Sequence, residues 1–199
     1  MRNLLCSILA GGLILLAGCS QSPTQVDGFN VRRASGEVGV LSPDARVRYR
    51  TALEHASQQE YTKAEKALLQ LSKEVPTHPG VWLNLASLYY QSDRLEEAQS
   101  ALARADALEP SSAAIHNLRG ALAVRSGDIT TAERHYHQAL QQDNSAAEVY
   151  YNLGLLHDIY YQDIATAIGY YEQYLQLNPN RDSQTEQWVE QLKLSLENQ

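Results

Sequence analysis

PGVWLNLASLYYQSDRLEEAQSALARADALEPSS, Pro79 to Ser112, carries two apolar stripes with a polar turn between them. Trp82, Leu85, Ala86 and Tyr89 stand at i, i+3, i+4 and i+7, which sets them on one face of a helix. Ala98, Leu102, Ala105 and Leu108 make a second such face, Ser92-Asp93 separates the two, and Pro110 ends the second. Ala86 and Ala98 are small where paired helices must approach closely, while Trp82 and Tyr89 fill the space beside them.

The same spacing recurs on both sides. Ala52, Ala86, Gly120 and Gly154 follow one another every 34 residues, and so do Ala64, Ala98 and Ala132. A 34-residue period built from helix pairs resembles the tetratricopeptide repeat (TPR), whose signature Trp82, Leu85, Ala86, Tyr89, Ala98, Ala105 and Pro110 match in position and type. The resemblance implies an all-α fold: a superhelical array of about four TPR helix pairs with a C-terminal capping helix. The pairs are expected within residues 44–181, as 45–78, 79–112, 113–146 and 147–181. The first has Arg48 and Thr51 where the signature prefers Trp and Leu, as suits a polar end unit. The third has Asn144 in place of proline. The fourth gains one residue near Tyr160 to Asp163, which displaces Ala167, Tyr171, Tyr174 and Pro179 by one and predicts an altered turn between its helices. Over 182–199, Ser183-x-x-Glu186 resembles a capping box, and Trp188, Val189, Leu192 and Leu196 form the stripe that a capping helix needs.

Export is written at the other end. Met1 to Gly18 holds one positive residue, Arg2, then a largely apolar run that closes on small residues, the build of a secretory signal. At 1.5 Å per residue its roughly 15 apolar residues cover about 22 Å of a hydrocarbon core about 30 Å thick, too short to span it comfortably. Leu16-Ala17-Gly18-Cys19 resembles the lipobox of bacterial lipoproteins. That implies a signal peptide over 1–18, a lipidated Cys19 as the mature first residue, and, with Ser20 behind it, an outer-membrane address facing the periplasm. The alternatives are an ordinary cleaved signal with a chance cysteine, or an uncleaved anchor. Residues 19–43 carry Pro23, Gly28, Gly36 and Gly39 without a helical stripe and read as a flexible tether, ended by Ser42-Pro43 as a helix start.

Composition narrows the chemistry. The two cysteines are Cys6 and Cys19, so the repeats hold neither a disulfide nor a thiol nucleophile. A net charge of -7 without a run of Lys or Arg argues against nucleic acid as partner. No HExxH, GxSxG or Gly-rich phosphate loop appears, so an enzyme is not expected, a periplasmic enzyme being the remote alternative, nor any cofactor beyond the covalent lipid. No metal site is expected either: His135 and His137 stand at i and i+2 on different sides of a helix, and His55, His116 and His157 take places held elsewhere by aromatic filler.

Twelve tyrosines are the richer signal. Tyr89, Tyr136, Tyr150 and Tyr171 take signature packing places. In TPR folds the first helices of successive units line a concave groove, and by that resemblance Arg46, Tyr49, Leu53, Leu83, Ser87, Tyr90, Asn117, Ala121, Val124, Glu148, Tyr151, Leu155 and Asp158 line it here. Such a lining suits an apolar or amphipathic peptide or helix of a protein partner. It suits a chaperone-type carboxylate clamp poorly, because Tyr49 and Leu53 stand where that clamp uses Lys and Asn. The alternative is that a short array leaves its tyrosines wet or covers them with its own tether. A lipid-anchored array of this layout resembles type IV pilus pilotins, Flp-pilus lipoproteins and the TPR proteins that accompany TonB systems. It is expected to act as a scaffold or adaptor in envelope assembly, with recruitment of cell-wall hydrolases as a further option.

Overall fold

In a computed structural model of the protein, residues 40–110, 112–178 and 182–197 are described. The signal, Cys19, most of the tether and Pro179 lie outside them. Among the described residues nine helices follow one another: α1 (Pro43–Ser57), α2 (Tyr61–Glu74), α3 (Pro79–Gln91), α4 (Leu95–Leu108), α5 (Ala113–Arg125), α6 (Ile129–Gln142), α7 (Ala147–Leu155), α8 (Ile164–Leu177) and α9 (Ser183–Glu197). Short turns fold each of the first four pairs back on itself, and each pair packs on the next, with α9 against α8.

Local chemistry sets the helix ends. Ser42 accepts a hydrogen bond from the Ala45 N–H at 3.2 Å, with Pro43 in the first turn. Asp128 and Asp163 do the same for the N–H groups of Thr131 and Thr166 at the starts of α6 and α8. At α9 the expected capping box is corrected by one residue. The cap is Asp182, which accepts from the Thr185 N–H at 3.1 Å and the Thr185 hydroxyl at 2.8 Å, while Ser183 is already helical.

Every pair turns on one residue with positive φ: Gln59 (60°), Asp93 (59°), Gly127 (79°) and Gln162 (54°). In the first three turns the next N–H reaches back five residues: Glu60 to His55, Arg94 to Tyr89, and Asp128 to Ala123. In the fourth, Asp163 reaches back six, to His157, at 2.9 Å. The extra residue therefore lies upstream of Gln162. It is absorbed because α7 continues as a π-helix over Leu156–Tyr161, whose wider turns take one more residue without breaking the chain of hydrogen bonds. The expectation of an altered inter-helix turn is corrected accordingly: the turn keeps its left-handed residue and the helix before it widens.

The small residues that reveal the period sit inside the pairs. A methyl group on Gly154 would lie 2.6 Å from ring carbons of Tyr171, and one on Gly120 would strike the ring of Tyr136. In the first two pairs the same registers hold Ala52 with Leu68 and Ala86 with Leu102, all buried. Glycine thus accompanies tyrosine where alanine accompanies leucine, and the interhelical volume is conserved. The buried side chains form three clusters: one from α1 through most of α5, a second around α6 and α7, and a third that joins α8 to α9.

Candidate protein-binding face

The first helices of successive pairs run beside one another. α1 touches α3 and α3 touches α5. Side-chain bonds tie the same positions together: the Asn84 amide donates to the Tyr49 hydroxyl at 2.6 Å, and the Asn152 amide donates to Asn117 Oδ1 at 2.8 Å.

The thirteen residues expected to line this face separate into three groups. Tyr49, Leu53 and Ala121 are buried and form its floor, so they are not available to a partner. Burial pushes the Tyr49 phenol up to about 12, against the opposing bond from Asn84. At the far end Tyr151 and Leu155 pack into the cluster that holds Val189 and Leu192 of α9. Tyr151 stacks 5.7 Å from Tyr171 and 5.1 Å from Tyr174. Asp158 is held there too, accepting from Trp188 Nε1 at 2.9 Å and from the Tyr171 hydroxyl at 3.3 Å. The chain's own last helix thus engages the fourth pair's share of the face.

What remains presented is the middle. Leu83 and Tyr90 are half-buried against the first cluster and Val124 against the second. Ser87, Asn117 and Glu148 are half-buried beside them, with the Ser87 hydroxyl donating to the Leu83 carbonyl at 3.1 Å. Arg46 is exposed at the near end, its guanidinium 3.4 Å from the Leu41 carbonyl. The Arg125 guanidinium lies 5.6 Å from the centre of the Tyr90 ring and pairs with Asp93. Desolvation raises the Tyr90 phenol, Arg125 opposes that, and the nearby Tyr160 hydroxyl adds to it.

Tyr160 was not among the expected residues. It is 48% exposed, its neighbour Ile159 54%, and its hydroxyl is close enough to Tyr90 and Tyr136 to raise both. Counting forward from Gly154 puts Asp158 level with Tyr90 and Val124, whereas counting back from Gln162 puts Ile159 there, because the inserted residue breaks the register. The face therefore consists of Leu83, Tyr90 and Val124 with the π-helical Tyr160 near Tyr90.

Among the described residues no group of three or more His, Cys, Asp or Glu side chains is arranged to hold a metal ion, and no helix is long and apolar enough to cross a membrane. A cavity of about 330 Å³ lies away from this face, between α4, α5 and α6, lined in part by Leu102, Arg119, Leu122 and His135.

Comparison with known proteins gives a consistent assignment. The tetratricopeptide-repeat family matches twice, over residues 44–122 and 117–182. The human protein O-mannosyl-transferase TMTC3 is 32% identical over 83 residues, which are 41% of this chain and 9% of that protein, so the chain spans under a tenth of this curated relative. Among solved structures, TTC0263, a thermophilic TPR protein of Thermus thermophilus, superposes with a TM-score of 0.65 at 22% identity, covering 76% of this chain and 82% of that one. The pilF protein of Pseudomonas aeruginosa superposes with a TM-score of 0.64 at 20% identity, covering 77% and 69%. With its repeat spacing, its folded-back helix pairs and these matches, the chain belongs to the tetratricopeptide-repeat family.

Proposed function

We propose that this protein is a lipid-anchored scaffold of the bacterial outer membrane, attached through Cys19 and facing the periplasm, that captures a protein segment to assemble or stabilise an envelope machine such as a pilus or its secretin. Its action is recruitment, and it performs no catalysis. The observation that carries the binding role is the presented middle of the inner face, where half-buried Leu83, Tyr90 and Val124 meet the exposed Tyr160. Aromatic side chains of this kind give large contact area at low ordering cost and dominate binding energy where they occur. The membrane part rests on the sequence Leu16 to Cys19, and confinement to a surface raises the effective concentration of the face for partners held there. The fold shared with pilF agrees with the pilus option at the level of fold alone.

Photo-crosslinking in cells tests the binding role. A crosslinker at Leu83 or Tyr90 is expected to capture one envelope protein that a crosslinker at Gln99, on the opposite side of the pair, does not. Tyr90→Ala with Val124→Arg is expected to reduce that capture at least tenfold while far-ultraviolet helicity stays unchanged. Equal capture from Gln99 rules the face out. The identity of the captured protein separates a secretin or pilus role from a TonB-system or cell-wall role. Cys19→Ala is expected to release the protein from membrane fractions; continued fractionation with membranes rules out the lipid anchor.

A further inference from the structure

One position of the first helix and one of the second recur in register through the four pairs. Arg48 and Ala67 hold these places in the first pair, and Trp82 and Ala101 in the second. In the fourth they are Tyr150 and Tyr170, whose rings lie 6.5 Å apart. The third pair puts His116 of α5 and His135 of α6 there, with Nδ1 of one ring 3.3 Å from Nδ1 of the other. The ring centroids are 5.6 Å apart, longer than the nitrogen separation by about one ring diameter, so the two nitrogens face each other nearly head on. Nitrogens placed in this way share one hydrogen: one ring donates and the other accepts. Gln138 Oε1, 2.9 Å from His135 Nδ1, settles the direction. An amide oxygen accepts and never donates, so the hydrogen is on His135 Nδ1, whose one N–H is shared between Gln138 Oε1 and His116 Nδ1.

We infer that the His116–His135 contact is an acid-sensitive catch that closes α5 on α6 when one hydrogen is shared and releases them when both nitrogens are protonated. A second hydrogen, on His116 Nδ1, makes that ring cationic and sets two N–H groups head to head; a further proton, on His135 Nε2, makes both rings cationic. The surroundings sharpen this. Arg119 on α5 and Arg134 on α6 add positive charge, and the carboxylate facing the pair from α4, Asp106, is itself held by Arg119 at 2.6 Å. Burial first, then the neighbouring cations, keeps His116 below the ordinary histidine range. His135 is lowered in the same way against the opposing bond to Gln138. The cavity lined by His135 and Arg119 gives solvent protons a route to the pair.

A ring whose folded affinity for protons is depressed binds them more readily when unfolded. Its stabilising contribution is therefore complete above the unfolded value of about 6.5 and falls away as pH drops through it. The effect is local to the third pair, and α5 is where the first and second apolar clusters meet. The catch rests on this geometry and not on the binding role proposed above, and its test involves no partner.

The test is an imidazole titration by NMR of the full chain, together with amide exchange and melting curves between pH 7.5 and 5. His116 and His135 are expected to titrate as a coupled pair, both steps below 6.5. Exchange in α5 and α6, corrected for its intrinsic pH dependence, is expected to rise about tenfold on acidification. Exchange in α1 and α2 is expected to stay level. His135→Gln, which keeps an N–H donor but takes up no proton, is expected to cut the rise to the part that burial of His116 alone supplies; His137→Gln, on an exposed position of the same helix, is expected to retain it in full. Should His135→Gln fail to fold, His116→Tyr with His135→Tyr imports the fourth pair's side chains and is expected to abolish this pH dependence. Independent titration of the two rings near 6.5, or an unchanged pH dependence in the variants, overturns the catch.

Discussion

The contact between Gly120 and the Tyr136 ring shows how a repeat is held at the scale of single residues. Between paired helices one position must stay small because another is large, and the chain satisfies this twice with Ala and Leu and twice with Gly and Tyr. Gly120→Ala is expected to destabilise the fold by about 1–3 kcal/mol through overpacking, the added methyl striking a buried ring. Adding Tyr136→Leu, which recreates the pairing of the first two repeats, is expected to recover most of that loss, and denaturant unfolding of the two single variants and the double variant measures the coupling. The positions themselves were legible in the sequence, since a 34-residue recurrence needs no coordinates. The volume exchange was not, because spacing does not say which residue of the second helix faces the glycine. The histidines show the same limit. Spacing along one helix correctly separates His135 from His137, but His116 lies on another helix, and only the folded pair brings the two rings together.

At the scale of elements, the fourth pair departs most from its neighbours. Its extra residue is countable in the sequence near Tyr160 to Asp163, but counting cannot say whether turn or helix takes it up; a π-helical stretch over Leu156–Tyr161 does so and the turn keeps its left-handed residue. The same pair carries α9, which turns three of its 15 residues, Thr185, Val189 and Leu192, fully inward. Much of its hold therefore falls on side-chain bonds such as Trp188 to Asp158. Hydrogen bonds to a charged group contribute about 1.5–3 kcal/mol. Asp158→Ala, which removes the acceptor of both Trp188 and Tyr171, is expected to raise amide exchange in α9 at least tenfold while leaving α1 to α4 unchanged. Mass-spectrometric exchange resolves the two regions. Protection of α9 equal to that of the parent protein would mean that apolar packing alone holds it.

For the whole molecule, tyrosine burial sets an alkaline limit. Desolvation raises the phenols of Tyr49, Tyr136 and Tyr171 together, Tyr49 to about 12. A phenol raised in the folded state contributes fully below its unfolded value near 10, and that contribution is lost as pH climbs through the folded value. Between pH 9 and 12 Tyr49 alone is expected to remove about 2–3 kcal/mol of stability, and Tyr49→Phe is expected to flatten that part of the pH profile in urea titrations. The three apolar clusters bear on a different property, the response to force. The first cluster extends from α1 through most of α5, whereas the last joins only α8 and α9, with Tyr151 and Leu155 of α7 against it. A load applied between the N-terminal end and a segment seated on the inner face runs through the largest cluster and bypasses the smallest. Under such a load the largest cluster would carry the tension, and the smallest, at the far end, would stay out of its line.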